Sequence, residues 1–311
     1  MAQLILHIGA HKTATTSIQK LLADSATELG RSNIIYPRVA WFQHAQHRLA
    51  FGLKRMTDPA ARDIPDPITE IGRLNEVLRN TEKRVLVSSE ELFTLPPESL
   101  EILKAQLVAD SVRIVACLRR PDEMLLSIYN QKAKTHNNGF VRPIEYFVNH
   151  PRMIDPDISY GQQLGKWIDA FGSEALNVFL YEERSPIKGF FAQLGIPTPT
   201  RTAPAVNASV SAPVVEIMRL AKVFDFDPSK RQALYGIAQE RFSNAPRMSL
   251  SADARRAIIA KLQPEYDAVF RRLGWENPYT VANLEMPEDA DPRPNLTYRD
   301  LFQLIETMIP A

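Results

Sequence analysis

The chain has 311 residues, 45% of them hydrophobic, which is enough to bury one large core or two small ones. A net charge of +1 argues against a broad electrostatic footprint for nucleic acid, while leaving room for a local basic pocket. The single cysteine, Cys117, excludes a disulfide framework and a cysteine-rich metal site.

Residues 3–8 (QLILHI) read as a strand buried on both faces. An apolar strand this near the start leaves no room for a signal peptide, and no apolar run is long enough for a bilayer. A cytoplasmic protein with no membrane span is therefore expected. Residues 13–29 carry Ile18, Leu21, Leu22 and Leu29 on one helical stripe, and 33–37 (NIIYP) form a short strand closed by Pro37. A helix over 67–80 leads into a strand at 84–89 (RVLVSS), where Ser88 and Glu91 have the spacing of a capping box. A helix over 96–107 has proline in its first turn, and VRIVACL (112–118) is a further buried strand. The segment 121–134 is helical, with Met124, Leu125, Ile128 and Tyr129 on one face, and 175–181 (ALNVFLY) is another strand. Strands separated by helices imply a parallel sheet with helices on both faces. Beyond residue 183 the segments 212–224, 228–242, 251–263 and 297–308 read as helices, and 276–296 as an extended surface stretch.

Chemistry concentrates where the first strand gives way to the first helix. GAHKTATTS (9–17) gathers Gly9, His11 and Lys12 with Thr13, Thr15, Thr16 and Ser17 around Ala10 and Ala14. A helix start exposes unpaired backbone N–H groups and the positive end of a dipole, so glycine, lysine and hydroxyls there suit a phosphate or sulfate group. The stretch is not a Walker A loop, because no second glycine precedes the lysine and the Gly–Lys spacing is too short. A plain junction with threonine caps is the competing reading of these residues. A second basic site, Arg119–Arg120, comes directly after the strand 112–118, with Ser127 and Tyr129 in the helix beyond. Open parallel sheets bind ligands at the carboxyl ends of their strands. Two basic sites at equivalent strand ends suggest a ligand with two separated anionic groups, while an ordinary surface pair beside acidic neighbours is the competing reading of Arg119 and Arg120 taken singly.

Together the two motifs resemble those of PAPS-dependent sulfotransferases. GAHKTATTS is similar to their 5′-phosphosulfate loop, and RRPDEMLLS (119–127) to their 3′-phosphate segment. FLYEE (179–183) and VNASVS (206–211) are similar to two further stretches of bacterial members. Ala14 stands where that family usually has glycine, and Arg120 where it often has Asp or Asn. The resemblance implies an α/β fold, a parallel sheet flanked by helices of the P-loop nucleoside triphosphate hydrolase-like type, with additional C-terminal helices. The resemblance runs from residue 3 to about 220; because no linker clearly divides two domains, one domain over 1–311 is expected, with a nucleotide-binding core over 1–200 and a helical part over 201–311 packed on it. PAPS would be the co-substrate and no metal would be needed. Gly9, His11, Lys12, Thr13, Ala14, Thr15, Thr16 and Ser17 would hold the phosphosulfate, with Lys12 stabilising the leaving oxygen. Arg119 and Ser127 would hold the 3′-phosphate, and Asn207 and Ser209 would line the cofactor.

On the acceptor side, Glu90 lies just past a strand end on the same rim and is the preferred general base, with His47 and then His44 as alternatives. The histidine pair also reads as one face of a helix. His136 and His150 have no chemical context, and Trp41, Trp167 and Trp275 read as core. The acceptor would offer a hydroxyl or amine on a carbohydrate, lipid or small molecule, which the pattern does not choose between. A P-loop-type nucleotide kinase and a non-catalytic nucleotide-binding module of the same fold are the alternatives. The oligomeric state is left open.

Overall fold

The strand β1 (Gln3–His7) is apolar at three successive positions, as a strand covered on both faces must be. In the computed structural model, which describes residues 2–182, 185–200 and 210–285, β1 lies at the centre of a five-stranded parallel sheet. After it come helices α1 (Thr15–Asp24) and α2 (Ala26–Arg31), strand β2 (Ile34–Ile35) and helices α3 (His47–Lys54) and α4 (Pro67–Arg79). Strand β3 (Arg84–Ser88), helix α5 (Pro97–Gln106), strand β4 (Ser111–Leu118) and helices α6 (Pro121–Lys134), α7 (Ile144–Asn149) and α8 (Tyr160–Phe171) come next. Strand β5 (Leu176–Leu180) and helices α9 (Pro186–Leu194), α10 (Ala212–Val223), α11 (Pro228–Arg241) and α12 (Ala252–Arg272) complete the described elements.

Two expected elements differ. The helix read over 13–29 is broken at Ser25, which leaves helical angles (φ −111°, ψ 25°) and donates its N–H to the Leu22 carbonyl. The helix expected to stop at 263 runs on to Arg272 through Pro264; proline removes one rung of the helix ladder without ending it here. The segment 297–308 lies outside the described residues.

The described residues form two compact units: 2–120, 159–200 and 265–277 in the first, and 121–158, 210–264 and 278–285 in the second. In the first unit the strand order is β2-β3-β1-β4-β5. On one face of the sheet Ile5, Leu86, Val115 and Phe179 pack against Ile18 and Leu22 of α1 and Phe190 and Phe191 of α9. Each such side chain, fully buried, contributes about 1.5–3 kcal/mol. In the second unit the buried Lys222 donates from Nζ to the carbonyls of Lys132 and Ala133 and to Asn138 Oδ1, each at 2.7 Å. It thereby satisfies carbonyls at the end of α6, and burial lowers its pKa to about 8. Arg255 joins Asp122 and Glu123 of the same unit at 2.6 and 2.5 Å.

Helix α3 is fixed in two ways that matter for the site. Arg48 pairs with the buried Asp58 and with Glu70 of α4, pinning the intervening loop. Gly52 lets that loop close in, since a Cβ there would lie 2.7 Å from the Pro65 carbonyl oxygen. Backbone has to move to admit a methyl group, so Gly52→Ala should lower unfolding free energy by about 1–3 kcal/mol despite alanine's better helix propensity. Denaturant titration checks this; unchanged or raised stability would show that the loop yields freely.

Candidate functional site

The loop after β1 is shaped by sterics before chemistry. Gly9 has φ +34°, and a Cβ on it would lie 2.6 Å from Thr15 Cγ2 and 3.2 Å from His7 Nε2. Lys12 (φ 68°) and Ala14 (φ 65°) are also left-handed, a conformation costing a non-glycine residue roughly 1–2 kcal/mol. Glycine at position 14 would avoid that cost. Ala14 is the N-cap of α1 and offers no side-chain oxygen, so the helix starts with no side-chain cap on its first N–H groups. That end of a ten-residue helix attracts anions through its N–H groups and dipole. The four hydroxyls are not equivalent. Thr13 is buried and donates its hydroxyl proton to the Ala10 carbonyl at 2.6 Å; Thr15 is buried, Ser17 partly so, and Thr16 is exposed.

Successive residues of a strand face opposite ways, and the paired serines ending β3 use both directions. Ser88 Oγ lies 2.8 Å from His7 Nδ1, and Ser89 Oγ lies 2.8 Å from His47 Nδ1. Glu90 is next in the chain, with Oε2 4.0 Å from His47 Nε2 and accepting from Gln19 Nε2 at 2.6 Å. Glu91 pairs with Lys54 at 2.7 Å and lies 3.6 Å from His11 Nε2. The expected capping box is thus not formed. The short turn Glu90–Leu92 starts after Ser89, the Ser88 hydroxyl belongs to His7, and Glu91 is drawn to Lys54.

His44 is exposed, and its backbone carbonyl accepts from the Tyr36 hydroxyl at 2.8 Å. Helix α3 begins only at His47, so the two histidines do not share a helix face as expected. Burial pushes the His7 pKa down to about 4. It also lowers that of His47, outweighing the pull of Glu90 and Glu91 in the other direction. For Glu90, burial acts upward, but the charges of His47 and His11 and the Gln19 hydrogen bond bring the carboxyl below its ordinary range. At neutral pH the pair is a carboxylate beside a neutral imidazole.

At the end of β4 the Arg119 guanidinium lies over the Tyr181 ring, 4.9 Å from its centre. The Tyr160 hydroxyl accepts from the Arg119 N–H at 3.1 Å and donates to the Arg119 carbonyl at 2.9 Å. The Arg120 N–H donates to Glu182 at 2.7 Å. Within the first unit, then, Lys12, Glu90, Arg119 and Glu182 each come after the carboxyl end of a parallel strand. Ser127 is a partly buried residue of α6 in the second unit, and Asn207 and Ser209 lie outside the described residues.

Sequence reasoning did not single out Gln19, Lys54, Tyr160 or Tyr181 as site residues; Tyr181 alone had a signal, inside the FLYEE stretch. Trp167 is fully buried, whereas Trp275 is 46% exposed and not core. Trp275 borders a groove of about 360 Å³ beside β5, lined by Asn177, Phe179, Gly189 and Gln193 among others and by no charged side chain. That groove offers no cation to an anionic ligand. Among the described residues there is no cluster of three metal-ligating side chains and no helix long and apolar enough to cross a membrane.

A sulfotransferase from Alicyclobacillus acidocaldarius has a crystal structure similar to this chain, with a TM-score of 0.51 and 17% identity over 88% of this chain and 96% of that one. This likeness shows the fold, a parallel α/β sheet flanked by helices. A structure from the PezAT toxin–antitoxin system of Streptococcus pneumoniae aligns with a TM-score of 0.30 and 11% identity over 78% of this chain and 87% of that one, too low to carry an argument. No protein-family model and no curated protein sequence matches the chain.

The buried His7 makes stability depend on pH. The unfolded chain takes up this proton below about pH 6.5, and the folded one only near pH 4. Stability is present above the first value and is lost as pH falls toward the second, by about 3 kcal/mol. Urea titrations at pH 7 and pH 4.5 should show a smaller acid loss in His7→Gln than in the wild type. Equal losses would show that His7 titrates normally.

Proposed function

We propose that this protein transfers a sulfuryl group from PAPS to a hydroxyl or amine of an acceptor. The observation that carries the reading is the ordering of charge along one rim. Lys12 and Arg119 lie beyond the ends of the adjacent strands β1 and β4, and the His47–Glu90 pair gathers at the end of β3 on the other side of β1. The loop suits an anion on its own terms, because Gly9 leaves room at the turn and α1 begins without a side-chain cap.

In this reading the loop 9–17 holds the 5′-phosphosulfate through the N–H groups opening α1, with Lys12 against the oxygen that leaves. Arg119, steadied on Tyr181, takes the 3′-phosphate; the resemblance adds Ser127 to that role and Asn207 and Ser209 to the cofactor side. Sulfuryl transfer, like phosphoryl transfer, is governed by positioning and charge stabilisation. The acceptor oxygen or nitrogen bonds to sulfur as the bond from sulfur to the phosphate oxygen breaks, and that oxygen keeps the electron pair beside Lys12. The acceptor's proton goes to His47 Nε2. A carboxyl held below its ordinary range is a weak base, so His47 takes this role in preference to Glu90, whose charge steadies the imidazolium that forms. Resemblance adds PAPS as the donor and a reaction that needs no metal.

The test is calorimetry, in metal-free buffer and again with magnesium added. Adenosine 3′,5′-bisphosphate should bind, and ATP should not match it with or without magnesium; the reverse order would favour a kinase. Arg119→Ala should weaken the bisphosphate about ten-fold to a hundred-fold, as loss of a charge-assisted contact worth roughly 1.5–3 kcal/mol. Lys12→Ala should lower turnover far more than it weakens the bisphosphate, because its charge acts on the oxygen that leaves. Equal losses would make Lys12 a binding residue only. Tight binding with no turnover for any acceptor would indicate a non-catalytic module.

A further inference from the structure

Glu90 and His47 are near neighbours that do not touch. A carboxylate beside an imidazole ordinarily closes to a charge-assisted hydrogen bond of about 2.7–2.9 Å. Here 4.0 Å separates His47 Nε2 from Glu90 Oε2, and that same oxygen accepts from Gln19 at 2.6 Å. Gln19 lies on α1, the helix that the anion loop opens into, and is 3% exposed. Its flanks fix it there, since Ile18 and Leu22 are buried in the core beneath the sheet.

The other groups around His47 do not explain the gap. Ser89 engages Nδ1 at 2.8 Å, and the Phe42 and Phe51 rings lie 6.1 and 6.0 Å away. Glu91 is occupied by Lys54 at 2.7 Å, with His11 on its other oxygen at 3.6 Å. His7 is neutral near pH 7 and bonded to Ser88, and the Tyr36 hydroxyl donates to the His44 carbonyl. Gln19 is the group that contacts the Glu90 oxygen nearest the imidazole.

We propose that Gln19 is a positioning residue whose amide holds the Glu90 carboxylate away from His47, keeping the imidazole Nε2 open to accept a proton from the acceptor. The inference rests on the reading of His47 as the base. A neutral amide suits the task. It satisfies the carboxylate with a donor and adds no charge of its own beside the imidazole. It also ties the base to the anion loop through one helix, so that α1 carries both the opening N–H groups and the residue that sets the proton acceptor.

Gln19→Met keeps length and removes the donor, so Glu90 should swing to His47 Nε2 and stabilise the imidazolium. In the full-length unliganded protein with labelled histidine, the His47 NMR titration should move up by about one pH unit, a ten-fold change in protonation. The acid limb of the turnover profile should move the same way. Gln19→Lys restores a donor and should bring the midpoint back to the wild-type value or below it. In a Glu90→Gln background Gln19→Met should produce no shift, because the two act through each other; a purely packing role would leave the shift in place. Gln19→Leu replaces Gln19→Met if the latter fails to fold. An unchanged His47 midpoint in a folded variant overturns the proposal. The titration needs no nucleotide or acceptor, so its failure is distinct from failure of the sulfuryl-transfer reading.

Discussion

The parallel register of β1 with its two neighbours is the constraint on which the site depends. His7 stands opposite Ser88 of β3 and opposite Val115 of β4, so β1 and β3 end level while β4 runs on for three residues to Leu118. Because the strands are parallel, the residues past their ends all lie on the carboxyl side of the sheet: the anion loop after β1, Glu90 after β3 and Arg119 after the longer β4. A shift by one residue in a strand turns every side chain to the opposite face. It would send Ser88 away from His7 and Ser89 away from His47, dismantling both histidine contacts at once. Burial of Leu4, Ile5 and Leu6 on the two faces of β1 is what holds that register, so the core and the site answer to the same packing.

Electrostatics at the rim are arranged by burial and by neutral partners as much as by charge. Burial pushes the Glu90 carboxyl upward, and the hydrogen bond from Gln19 is among the contacts that favour its charged form. His47 is kept neutral by burial against the pull of the same carboxylate. Glu91 does different work, since Lys54 balances its charge and it reaches toward His11 in the anion loop. Two adjacent glutamates therefore sit in different environments because successive side chains point to different helices.

The strands and the anion loop were legible in the sequence because their signals are local. Apolar runs in β1 and β4 can only be satisfied by burial on both faces, and Gly9 with Lys12 close behind marks a turn into a helix whatever surrounds it. Ser25 was missed because a serine in an amphipathic stripe fits a helix and a break equally well, and only the packing of Leu29 decides. Pro264 misled in the other direction, as a proline that the long helix absorbs. The capping box failed for a physical reason: Ser88 and Glu91 each had a stronger partner, His7 and Lys54, distant in sequence. Gln19 carried no sequence signal at all, since a glutamine on a helix looks solvated until the fold brings residue 90 against it. The contact between Arg119 and Tyr181 was hidden in the same way, although both lay inside motifs that drew notice.

One experiment bears most directly on the claim that this rim moves a sulfuryl group. The protein is offered a metabolite extract together with PAPS labelled in sulfur and ATP labelled in its terminal phosphate, and the products are separated and weighed by mass spectrometry. The account predicts that the sulfur label appears on an acceptor with the wild type and disappears with Lys12→Ala. Transfer of the phosphate label in place of the sulfur label would contradict it.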